Sequence, residues 1–88
     1  MQDESFVTLY NLIPNLQTIQ NEYQDALSAV VAFMRQSQTA LTKGKTVTPP
    51  VDSHIGVMKT ADNEFEFAYN HNGIFFILSA TLVDGSFP

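Results

Sequence analysis

No cysteine occurs among the 88 residues of this chain, which excludes disulfides, thiol catalysis and cysteine-ligated zinc. Positive charge is nearly as scarce: Arg35, Lys43, Lys45 and Lys59 stand against nine carboxylates, for a formal net charge of −5. Binding to a phosphate backbone needs a basic stripe, so no nucleic-acid partner is expected. The acidic residues run from Asp3 and Glu4 to Asp84 and are too dispersed to imitate DNA. Long apolar runs are missing too. The longest, 26–34 and 73–83, fall short of the roughly 20 residues that cross a bilayer, and no membrane partner is expected. The first residues, with Asp3 and Glu4, are acidic where a signal peptide is basic, so a cytoplasmic protein is expected.

What is present suits one small domain over 1–88. Hydrophobic residues make up 44% of the chain, enough for a core and against disorder. A chain of this size buries only about 60% of its unfolded surface, so each buried side chain matters.

The first half reads as helix. Leu16, Ile19, Tyr23, Ala26, Val30 and Phe33 recur at spacings of three and four, with Ser37 and Ala40 continuing the stripe. Leu27, Met34 and Leu41 widen it, while Gln17, Asn21, Gln24, Asp25, Ser28, Gln36 and Thr39 lie opposite. This predicts a helix over about 15–42, some 42 Å long at 1.5 Å per residue. The seam also has a coiled-coil look, but its flanks carry Gln and Ser where paired coiled coils carry Glu and Lys. Upstream, Phe6, Leu9, Tyr10 and Ile13 keep helical spacing before Pro14, which predicts one or two helices in a helical half of 4–42: either a short helix ends near Ile13 and Asn15 caps the next, or one long helix is kinked at Pro14. Gly44 and the Pro49-Pro50 pair break the pattern and mark a linker over 43–53.

The second half reads as a three-stranded antiparallel meander, about 54–60, 64–71 and 74–83. Asn72-Gly73 is the two-residue signal of a type I′ hairpin, and it sets His71 opposite Ile74 and Phe67 opposite Leu78. Around Ala61-Asp62-Asn63, a three-residue loop with Asn63 left-handed sets Thr60 opposite Glu64 and Val57 opposite Phe67. Both turns then agree on one apolar face: Ile55, Val57, Phe65, Phe67, Tyr69, Phe76, Leu78, Ala80 and Leu82. Because a one-residue slip would turn all of them outward, the register is strongly specified. The expected fold is α+β, with the long helix laid on this face and Tyr23 and Ala26 turned toward its phenylalanines.

The opposite face carries polar side chains on the first two strands and then changes character. Phe75, Ile77 and Val83, interleaved with Ser79 and Thr81, fall on that side of the third strand. From Ile74 to Val83 there is no charge, proline or bulge-forming glycine to blunt the edge. These five residues are the candidate interface, for a second copy or a protein partner, with the end of the helix beyond the sheet as a further contact.

Other constellations are weaker. His54 and His71 fall at one end of the meander near Asp52, and could hold a metal or small ligand. Glu64 and Glu66 share a face, without a nucleophile or desolvating wall beside them. Gly44-Lys45-Thr46 lacks the upstream glycine and the strand-loop-helix order of a phosphate loop. No serine sits in a nucleophile-elbow context, so neither an enzyme nor a cofactor is expected. The residues fit a non-enzymatic, self-associating interaction module of the size of a small bacterial or phage-encoded adaptor or inhibitor. In outline, a long helix on a meander is also similar to the headpiece of type IV pilins. The apolar N-terminal segment and processing site that identify that family are not in this sequence, so the likeness is one of architecture.

Overall fold

The computed structural model describes residues 16–88, with side chains from Thr18 onward. The helix expected around Phe6–Ile13 and the break at Pro14 lie outside the described residues. Helix α1 spans Leu16–Thr42, and the strands are β1 (Ile55–Ala61), β2 (Glu64–His71) and β3 (Ile74–Thr81). They form one antiparallel sheet in the order β1-β2-β3, with α1 across one face. The α+β arrangement expected from periodicity is the one observed.

Helix α1 ends where glycine allows the chain to reverse. Gly44 adopts φ 73°, its N–H donates to the Leu41 carbonyl, and the Lys45 N–H donates to that of Ala40. Together these bonds form a Schellman cap, which satisfies carbonyls that the helix would otherwise leave unpaired. Within the helix, Ala26, Val30, Phe33, Met34 and Ser37 are buried. The Ser37 hydroxyl loses no hydrogen bond by burial, because it donates to the Phe33 carbonyl at 2.7 Å.

The apolar stripe outruns the sheet. At 27 residues α1 is about 40 Å long, whereas the eight residues of β3 span about 27 Å. Ile19 and Tyr23, in the N-terminal turns, are consequently 51% and 40% exposed. Ala26 packs inward as expected. Tyr23 only reaches the sheet's margin, its ring edge-on to Phe76 at 5.4 Å.

All nine residues assigned to the inner face belong to the core or pack against it, around the fully buried Val30 and Phe67. The second hairpin has the expected register throughout, with Asn72 and Gly73 at φ 52° and 79°. The first hairpin needs a correction. Asn63 is left-handed at φ 64°, but Ala61 pairs with Glu64 and the register shifts between Lys59 and Ala61, so Thr60 is the extra residue. Strand β1 also starts at Ile55 and not at His54, whose φ of 61° takes it out of extended geometry.

Strand β3 ends at Thr81, two residues earlier than expected, because a third tight turn follows. Val83 and Ser86 exchange N–H···O bonds of 2.8 and 3.1 Å across Asp84 and Gly85, both at positive φ. The turn sends the chain back beneath the sheet. Phe87 inserts between α1 and the sheet, 6% exposed, and its N–H donates to Gln38 Oε1 at 3.0 Å.

Candidate functional site: the open edge of the third strand

Hydrogen-bond alternation decides which β3 groups are free. In an antiparallel ladder, residues bond alternately to one neighbour and the other. The Asn70 N–H donates to the His54 carbonyl on the β1 side, and the Leu82 N–H donates to Asn63 on the β2 side. With His71 opposite Ile74, the even-numbered residues of β3 therefore bond to β2. The N–H and C=O groups of Phe75, Ile77, Ser79 and Thr81 point away from the sheet. No described backbone group pairs with them.

The same four residues turn their side chains to the outer face, where Phe75 is 62% and Ile77 51% exposed. Four of the five residues singled out in the sequence thus lie together on one strand. Val83 does not join them. It is exposed, but in the Val83–Ser86 turn beyond the strand, since Asp84-Gly85 ends the extended run.

Residues of β1 and β2 extend the apolar patch. Ile77 lies beside Ala68, which lies beside Gly56, and Met58 next along β1 is exposed. Gly56 has nothing within 4 Å of where a side chain would start, so the row forms a shallow trough of about 250 Å³ between Met58 and Ile77. Met58 was legible on the outer face, but its approach to Ile77 depends on both registers together.

The two edges differ. Strand β1 carries Lys59 and the irregularity at Thr60, both of which discourage pairing, whereas β3 carries neither charge nor bulge. Behind the β3 edge, Val31, Met34 and Arg35 of α1 face Leu78 and Ala80 across an open groove of about 430 Å³ that Pro88 also lines. The sequence periodicity placed Met34 near the core but gave no sign of this groove, which depends on how far the helix stands from the strand.

The other constellations also find their places. His54 and His71 are brought together, their rings stacked at 3.6 Å and 6° beside a hollow lined by Glu22, Asp25 and Asp52. Imidazole lone pairs lie in the ring plane, so parallel stacked rings aim them side by side and not at a common point. Among the described residues no group of three histidine or carboxylate side chains is arranged to hold a metal. Lys45 and Thr46 follow the C-terminus of α1, the negative end of its dipole and the wrong pole for a phosphate. Glu64 is exposed and Glu66 half-buried beside Met58 and Ser79, and the trough that Glu66 borders is lined by no nucleophile. No described helix is long and apolar enough to cross a membrane. No family model, curated protein or solved structure matches this chain.

Proposed function

We propose that this chain is a non-enzymatic protein-interaction module that self-associates through β3. The observation that carries the reading is the coincidence of two features on the same residues. Phe75, Ile77, Ser79 and Thr81 offer unpaired backbone groups along the edge, and Phe75 and Ile77 present apolar side chains beside it. An uncharged strand with a free ladder is a template for another strand, and an apolar patch beside it adds buried area once a partner is in place. The exposed Ile19 and Tyr23 on the helical overhang offer a second contact.

Sedimentation at tens of micromolar protein tests the reading. Wild type is expected above monomer mass, and Ile77→Lys at monomer mass, because the lysine puts an unpaired charge into the contact. A strict monomer whose behaviour Ile77→Lys leaves unchanged would remove the proposal.

A further inference from the structure

We propose that the β3 edge also accepts an extended acidic segment of a partner protein as a fourth strand, one of its carboxylates seated on Arg35. This rests on reading β3 as the contact strand and adds the chemistry of the partner. A strand added to an open edge lies about 4.8 Å beyond it, over the mouth of the groove between β3 and α1. Its alternate side chains then point to the same side as Leu78 and Ala80, into a space walled by Val31 and Met34. Apolar residues at those positions fill the groove, and the backbone takes up the free groups of Phe75, Ile77, Ser79 and Thr81.

Arg35 selects the charge. It lines the same groove and makes no ion pair among the described residues, where the single salt bridge joins Lys59 and Asp62. At helical spacing its flank of α1 carries Gln24, Leu27, Val31 and Gln38, with no acid. Glu22 and Asp25 lie on the opposite flank, beside the histidine stack. Among the described residues no side-chain carboxylate pairs with this guanidinium, so an incoming carboxylate meets an attractive charge there and an incoming ammonium meets repulsion. A second copy of β3 has no carboxylate to offer. An acidic strand and a second copy compete for one edge, and the acidic strand is the tighter occupant.

The test uses the whole chain and three labelled, end-capped peptides. The first is an eight-residue alternation of valine and threonine with one groove-facing valine replaced by glutamate. The second carries lysine there. The third is the glutamate peptide N-methylated wherever an N–H would face β3. By fluorescence anisotropy the glutamate peptide should bind about threefold to fivefold more tightly than the lysine peptide, the scale of a largely exposed ion pair. Arg35→Gln should erase the difference, and the N-methylated peptide should not bind. In sedimentation the glutamate peptide should shift self-associated protein to a one-to-one complex. Equal affinity for glutamate and lysine in the wild type overturns the role of Arg35. Undiminished binding of the N-methylated peptide overturns strand addition. Absence of binding by every peptide overturns the inference as a whole, whereas self-association is judged separately by the response to Ile77→Lys.

Discussion

Phe87 stands edge-on to Phe67, ring centroids 5.6 Å apart and planes at 89°, and joins the end of the described chain to the centre of the sheet. A second edge-on contact, to Phe65 at 6.0 Å, makes the C-terminal segment part of the core. The Asp84-Gly85 turn is what delivers it there, and a side-chain carbon built on Gly85 would lie 3.7 Å from Thr42 Oγ1. Helix end, turn and core are tied at one place.

Phe87→Ala should therefore destabilise the fold by about 3 kcal/mol, as for other buried aromatic truncations. Gly85→Ala, which leaves the core side chains intact but strains the turn, should cost about 1 kcal/mol. Urea unfolding followed by far-UV circular dichroism gives both values. A Phe87→Ala variant as stable as wild type would mean that the segment does not dock in solution.

The overhang of α1 gives a contrast within one stripe. Val30→Ala, beneath the sheet and fully buried, should cost about 2 kcal/mol. Ile19→Ala, on the same helical face but half exposed, should stay within about 0.5 kcal/mol. Comparable losses at both positions would show that the sheet is not what sets the value of the stripe.

At the helix terminus, Gly44→Ala should lower stability by about 1 kcal/mol, since φ 73° places a side chain where L-residues are strained. Space is not the obstacle, because no atom lies within 4 Å of the added carbon. Asn at this position should recover part of the loss, as Asn tolerates left-handed backbone.

The stacked pair His54 and His71 should show coupling in a double-mutant cycle of about 0.5 to 1.5 kcal/mol, the range for aromatic pairs. Calorimetric titration with zinc should give no heat that a His54→Ala/His71→Ala variant lacks. A stoichiometric zinc signal confined to the wild type would show that the rings unstack to bind metal.

Ile77→Lys should unfold at the same urea concentration as wild type when both are measured dilute, because the residue it replaces is 51% exposed and makes no core contact. A large loss of stability would reassign Ile77 from surface to core.

Much of this architecture was legible from local rules. The stripe from Leu16, the breaker at Gly44 and the two inner hairpin turns yielded the helix, its end and nearly the whole register. Those features are carried by residues a few positions apart, where turn geometry and side-chain period act directly. The Thr60 irregularity and the start of β1 after His54 escaped, since a strand can absorb one residue of mismatch as a bulge without breaking the apolar alternation. The Asp84-Gly85 turn could have been found, because it carries the same kind of dipeptide signal as Asn72-Gly73. Reading the apolar run to Val83 as one strand concealed it.

The class, the inner face and the absence of charge on the third strand follow from the order of residues, because period and turn chemistry are written in neighbouring positions. Tertiary structure alone decided that Phe87 folds back into the core, that the helix overruns the sheet, that His54 and His71 stack, and that Arg35 stands beside the groove behind β3. Each of those depends on the distance between elements far apart in the chain. Such distances are set by how whole side chains fill the space between layers, and no local pattern encodes them.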